Sequence, residues 1–235
     1  MHVLFTHQNF PAQFGQIARY LIRRHGWRCT FASRDGGDDG EIERVRYQPE
    51  SGAKQTTHFC SRTFENQVWH SRALFDALRS RPDIRPDLIV GHTGMVSTLY
   101  LRELYDVPII NYFEYFYRTH DCDIDFRHDL PGPDTSSLLR AQTRNAMLLL
   151  DLNNCDAGYA PTEFQRNQLP AEYQPKLHSI FDGIDTEFWK PQQSPSRQIG
   201  ELHLPDHHRV ITYVSRGMES MRGFDIFMRV ADQVC

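Results

Sequence analysis

The stretch Arg209-Val-Ile-Thr-Tyr-Val-Ser-Arg-Gly-Met-Glu-Ser-Met-Arg-Gly-Phe-Asp-Ile-Phe-Met228 decides how the chain is read. It opens on a short β-rich apolar run, Val210 to Val214. A polar turn holding Arg216 and Gly217 follows, and Arg222-Gly223 then leads into an amphipathic segment. Strand, loop and helix in that order place a helix N-terminus at the carboxyl edge of a parallel sheet. Anions suit such an edge, because unpaired backbone N–H groups and the helix dipole both favour negative charge. Arg216 and Arg222 add two guanidinium groups with bidentate donors for phosphate oxygens. The spacing reads as half of a diphosphate clamp, or as an ordinary strand-helix turn with two solvated arginines.

Upstream, Lys190-Pro-Gln-Gln-Ser-Pro-Ser-Arg-Gln-Ile-Gly200 has the proline-rich, polar composition of a linker. It divides the chain into a domain over 1–188, a linker over 189–208 and the first strand and helix of a second domain over 209–235. Within 1–188, strands and helices alternate. Strands are expected at His2–Thr6, Trp27–Ala32, Val45–Tyr47, Asp87–Gly91, Pro108–Phe116, Ala157–Ala160 and Leu177–Phe181. Helices are expected after Asn9 (as N-cap) to Gly26, then over Phe64–Arg79, Val96–Tyr105 and Ser136–Leu152, with a short one capped by Thr162. This is an α/β pattern: a Rossmann-like doubly wound parallel sheet, followed by a second Rossmann-like domain cut short at Cys235.

Composition narrows the function classes. The 235 residues are 40% hydrophobic and 24% charged, which is ordinary globular material, and the formal net charge of -4 argues against a general nucleic-acid binder. Five scattered cysteines without a C-x-x-C pattern fit neither a disulfide framework nor a zinc site, so a reduced cytoplasmic setting is expected. No run reaches the ~18 apolar residues of a membrane span, which leaves peripheral contact with the inner face of a membrane open. No G-x-S-x-G, Walker A or G-x-G-x-x-G pattern is present.

Several segments can carry chemistry. His92 lies between Gly91 and Gly94 at the end of an expected strand, with room for a ligand and an imidazole able to donate to a ligand hydroxyl; a loop histidine satisfied by local backbone is the alternative. Glu114, inside the aromatic run Tyr112–Tyr117, ends the next strand and can accept from a ligand hydroxyl while the rings stack on the ligand or cover the core. Asp121, Asp123 and Asp125 form overlapping D-x-D pairs, read as a solvated acidic turn against the rival of a metal site.

Ser215-Arg-Gly-Met-Glu-Ser-Met-Arg-Gly-Phe-Asp225 resembles the G-R-x(4–5)-K-G-x-D segment that opens the C-terminal domain of family 4 retaining glycosyltransferases of the GT-B fold. Ser215 stands in place of the usual Gly, and Arg222 in place of the usual Lys. Asn9-Phe-Pro-Ala-Gln-Phe-Gly15 occupies the family's acceptor-facing β1–α1 loop and resembles a subgroup with an N-F-P signature. Leu88-Ile-Val-Gly-His-Thr-Gly94 is similar to the family's strand-His segment, and Phe181-Asp-Gly-Ile-Asp185 to its N-G-V-D turn. The resemblance covers nearly the whole chain, in the expected order.

The resemblance implies sugar transfer from a nucleotide-sugar to a glycan or lipid-linked acceptor, with no metal and no further cofactor. His92, Arg216 and Arg222 would be catalytic. Asn9, Phe10, Gln13, Gly15, Gly94 and Glu114 would bind substrate. The family's E-x(7)-E donor segment would lie past Cys235, so 1–235 is expected to be an inactive N-terminal fragment, prone to self-association through the face that a missing C-terminal domain would cover. A non-catalytic binding or regulatory module, or another GT-B enzyme such as a sugar-nucleotide epimerase, are the alternatives.

Overall fold

The computed structural model describes residues 1–191 and 196–234; the part of the expected linker at 192–195, and Cys235, lie outside the described residues. The chain divides into two units, Met1–Asp125 with Pro131–Gly183, and Phe126–Leu130 with Ile184–Cys235.

The first unit is built on β1 (His2–Thr6), β2 (Arg28–Ser33), β3 (Glu43–Arg46), β4 (Leu88–His92), β5 (Ile109–Tyr112), β6 (Ala157–Ala160) and β7 (Leu177–Ser179). All pair in parallel, in the order β3-β2-β1-β4-β5-β6-β7. From β1 the chain winds outward to β3, and from β4 it winds the other way to β7. The direction reverses between β1 and β4, where Thr6 lies beside Gly91. Loops leaving those two carboxyl ends diverge, and the crevice they leave is where open α/β sheets bind ligands.

Alternating side chains feed two cores. Val3 and Phe5 of β1 pack with Phe14, Ala18 and Phe31 beneath α1 (Phe14–His25). Leu4 faces the other way, into Leu74, Leu78, Ile89, Leu148 and Leu152 beneath α2 (Arg62–Arg79) and α4 (Ala146–Asn154). A strand covered on both faces is apolar throughout, and β1 is buried at all five positions. Gly26 ends α1 at φ 63°, its N–H reaching the carbonyls of Ile22 and Leu21, as the sequence implied. Thr162 caps α5 (Glu163–Gln168) through Gln165 N–H.

Four expected elements differ. Asn9 does not cap α1: the helix starts at Phe14 after Gln13, because the Asn9 amide and the Asp35 bridge hold residues 8–10 extended. The helix expected over Val96–Tyr105 shrinks to a 3-10 turn at Leu99–Glu103, since the Ser97 hydroxyl takes the Leu99 amide that an earlier helical carbonyl would have accepted. Ser136–Leu152 is broken into α3 (Thr135–Arg144) and α4 at Asn145, whose carboxamide binds both the N–H (2.8 Å) and the carbonyl (2.6 Å) of Tyr117. The fourth is the strand Val210–Val214.

That strand belongs to the second unit, which holds an antiparallel pair, β8 (Gln198–Ile199) with β9 (Leu202–His203), a 3-10 turn at Ser220–Arg222 and α6 (Phe224–Val234). Among the described residues Val210–Val214 pairs with no strand, and Val210, Ile211 and Val214 are 52–88% exposed. A parallel strand needs a neighbour to hydrogen-bond, and these residues have none beside them. Helix α6 forms as expected, with Phe224 and Phe227 against Tyr213 and Asp225 paired with Arg127 at 2.8 Å. No helix among the described residues is long and apolar enough to cross a membrane.

Candidate functional site

The carboxyl ends of β1 and β4 bring two histidines together at the point where the sheet order reverses. His7 follows β1 and His92 ends β4, their rings edge to face at 4.4 Å between centroids. His92 Nε2 lies 3.2 Å from Glu114 Oε2, which projects from the loop after β5. Tyr112 ends β5, its ring 5.1 Å from His92, and its hydroxyl donates to Asp182 Oδ2 at 3.0 Å. Successive parallel strands have thus placed a histidine, a histidine, a tyrosine and a carboxylate along one edge.

The two histidines differ electrically. Burial, and next the neighbouring His92, push the His7 imidazole down to about 4, so it is neutral at physiological pH. The Asn9 backbone amide donates to His7 Nδ1 at 2.8 Å, which leaves the ring proton on Nε2. His7 is therefore a fixed neutral donor in the crevice, while His92 is half-buried and oriented by a carboxylate. Together they can present directed N–H groups to the hydroxyls of a polar ligand.

The expected site residues separate into two groups. His92, Glu114, Gly94 and Asn9 lie on the loops of this edge; Gly94 follows His92 with φ 144°, and the Asn9 backbone fixes the His7 tautomer. Phe10, Gln13 and Gly15 do not face it in the same way. Phe10 is buried against Phe31, with the Arg44 guanidinium 4.4 Å over its ring. Gly15 lies under Pro11, where a Cβ would come within 2.5 Å of the proline Cβ. Gln13 lines an apolar cavity of about 310 Å³ on the α1 side of the sheet, with Phe14, Leu88, Val90, Tyr159 and Asp182. Phe10 and Gly15 thus shape the β1–α1 loop by packing.

Arg216 and Arg222 belong to the second unit. Both are exposed; Arg222 closes the 3-10 turn before α6, 3.4 Å from Glu219, and its carbonyl accepts from the Tyr213 hydroxyl. The D-x-D carboxylates are engaged locally. Asp125 accepts the amides of Asp121 and Cys122, and Asp123 accepts from the Tyr115 hydroxyl. No group of three or more metal-ligating side chains gathers among the described residues.

Sequence reading missed His7, Tyr112 and Asp182 as site residues. His7 had a signal: it is the first polar residue after the first buried strand, the place from which a switch-point crevice is lined. The Tyr112–Asp182 contact joins residues 70 apart and left no local trace.

Comparison with known proteins adds three findings. No curated protein matches the chain. Among solved structures, the calicheamicin glycosyltransferase aligns at 14% identity and TM-score 0.46, over 83% of this chain and 56% of that one. A sucrose-phosphate synthase from Thermosynechococcus elongatus aligns at 13% identity and TM-score 0.47, over 80% and 91%. The UDP-GlcNAc 2-epimerase of Neisseria meningitidis aligns at 16% identity and TM-score 0.41, over 77% and 46%. The chain thus spans about half the length of the calicheamicin enzyme and of the epimerase. The third finding is a match of residues 25–189 to the glycosyl transferase family 4 group, from before β2 to beyond β7. Most of the chain, including His92, Glu114 and Asp182, falls within that match, and the protein belongs to the glycosyl transferase family 4 group.

Proposed function

We propose that the protein is the acceptor side of a retaining glycosyltransferase that moves a sugar from a nucleotide-sugar to a glycan or lipid-linked acceptor. The observation that carries the reading is the His7–His92–Glu114 cluster at the switch point of the sheet. In transfer, the bond from the anomeric carbon to the diphosphate breaks, a bond to an acceptor hydroxyl oxygen forms, and the proton of that hydroxyl passes to the departing diphosphate. His92, held by Glu114, donates to a hydroxyl of the transferring sugar, and the neutral His7 N–H fixes a second hydroxyl in the same crevice. These contacts act by positioning.

Charge builds on the departing diphosphate. Arg216 and Arg222 neutralise it in this reading, in place of a metal ion. The second unit as described carries them on a turn without a supporting sheet, so residues 1–235 alone are expected to transfer no sugar. The test is acceptor-dependent release of nucleoside diphosphate by the whole gene product, across a panel of nucleotide-sugars with glycan and lipid extracts as acceptors. Release that requires an acceptor supports the proposal. Inversion of the donor sugar to an epimer without any acceptor would replace it with the epimerase reading. Chelation of divalent ions is expected to leave the rate unchanged, and strict dependence on Mg²⁺ or Mn²⁺ contradicts the arginine clamp.

A further inference from the structure

Beneath the His92 loop lies a buried polar cluster that the proposed transfer does not use. Thr6, Ser71, Ser97, Thr98, Asn111 and Asp151 are each at most 2% exposed. Asp151, on α4, accepts from the Ser97 hydroxyl at 2.5 Å and faces the Thr98 hydroxyl at 3.5 Å, while its Oδ2 has no partner. The Asn111 carboxamide donates to Thr98 Oγ1 at 3.0 Å, and the threonine proton has two acceptors to choose between, Asn111 Oδ1 at 3.1 Å and the Asp151 carboxyl group at 3.5 Å. Gly91 of β4 has no room for a side chain here, since a Cβ would meet the Thr98 methyl at 2.2 Å and Asn111 Oδ1 at 2.9 Å.

From this cluster a chain of hydrogen bonds runs to the crevice. The Ser97 amide donates to Ser71 Oγ at 2.9 Å, and Ser71 Oγ donates to the Gln67 carbonyl at 2.7 Å. The Gln67 side chain in turn donates to the Gly94 carbonyl, two residues after His92. Thr93, Gly94, Ser97 and Thr98 are thus each held by a hydrogen bond, with Thr93 tied to the Tyr112 carbonyl through both its amide and its hydroxyl.

We propose that Asp151 is a positioning residue for His92: through Ser97 and Thr98 it sets the conformation of loop 93–98, and gain or loss of its carboxyl proton resets that loop. A carboxyl oxygen buried without a partner is costly when charged, and a proton on it supplies a donor instead. Burial accordingly pushes Asp151 up to about 7, against the downward pull of the Ser97 and Thr98 bonds. Among the described residues no charged side chain acts on Asp151. From α2 the cluster receives Ser71 and Gln67, and from the loop before the 3-10 turn Ser97 and Thr98. The arginines of α3 turn elsewhere, Arg140 over Phe59 and Arg144 over Tyr117. The ionisable neighbour that senses Asp151 is the Cys155 thiol, itself pushed up by burial to about 11 and therefore neutral.

The test is a pH titration of residues 1–235 by NMR, which needs no substrate and stands apart from the transfer proposal. The Asp151 carboxyl carbon and the amides of Gly94, Ser97 and Thr98 are expected to shift with one shared midpoint near neutrality. In Asp151→Asn, which keeps the size and the hydrogen-bond acceptor, that step should vanish from the amides. Persistence of the amide step in Asp151→Asn overturns the proposal. Should that variant fail to fold, the wild-type carboxyl carbon decides alone: a midpoint below 5, or one the loop amides do not follow, overturns it equally. If the titration succeeds and acceptor-dependent transfer is never found, the positioning role stands and the transferase reading falls.

Discussion

His7 and Asp151 are both buried ionisable side chains, and burial moves them in opposite directions. His7 sits at about 4 in the fold against 6.5 in the unfolded chain. Between those values the unfolded chain binds more protons, so its contribution is complete above pH 6.5 and is lost as the pH falls toward 4, by up to about 3 kcal/mol. Asp151 sits at about 7 against 3.8. Here the fold holds the proton more tightly, so stability declines as the pH rises from 4 to 7, by up to about 4 kcal/mol. The two slopes offset one another. Relative to wild type, Asp151→Asn should therefore gain stability between pH 5 and pH 7, and His7→Gln should lose it, as read from urea midpoints at the two values. Parallel profiles for all three proteins contradict both assignments. The place of His7 after the first buried strand was legible in the sequence, but the burial of neither residue was, because burial in a polar pocket depends on what the other strands and helices bring.

Helices and strands followed local pattern where one face met a core, and departed from it where a side chain captured backbone. The apolar periodicity of Phe14, Ala18 and Leu21 and the closing Gly26 gave α1 its face and its end. Asn145 shows the opposite case. The apolar residues recurring through Ser136–Leu152 predict one long helix, yet the asparagine splits it to hold the Tyr117 backbone across 28 residues. It is 5% exposed, so its bonds have little competition from water. Asn145→Ala is expected to destabilise the first unit by about 2 kcal/mol, from two bonds lost and a buried N–H left unpaired. The same change should raise hydrogen exchange at Tyr117 well above that in β1. Unaltered exchange would show that loop 113–118 is held by its aromatic packing alone.

The doubly wound order of the first unit was readable from the alternation of buried runs with amphipathic ones, and with it the edge on which ligand-binding loops gather. Which loop residues would meet there was readable only in part. His92 ends β4 and Glu114 follows β5, and the two side chains lie 3.2 Å apart, whereas Phe10 and Gly15, in a loop that could face either way, serve packing. The Val210–Val214 run shows the limit of local pattern at this scale: β propensity makes a strand only when a sheet is present to receive it, and these residues are exposed. Arg222 is assigned to the diphosphate from the same segment. Arg222→Ala in the whole gene product should cut turnover by at least tenfold, about 1.4 kcal/mol in the barrier, and a change under threefold contradicts the clamp.

The most direct measurement is kcat/KM for acceptor-dependent transfer by the whole gene product, wild type against His92→Ala, with folding of the variant checked by circular dichroism. A fall of about a hundredfold or more, near 3 kcal/mol of transition-state stabilisation, is the expected result. A folded His92→Ala protein that transfers within threefold of wild type contradicts the placement of the reaction at the β1–β4 switch point.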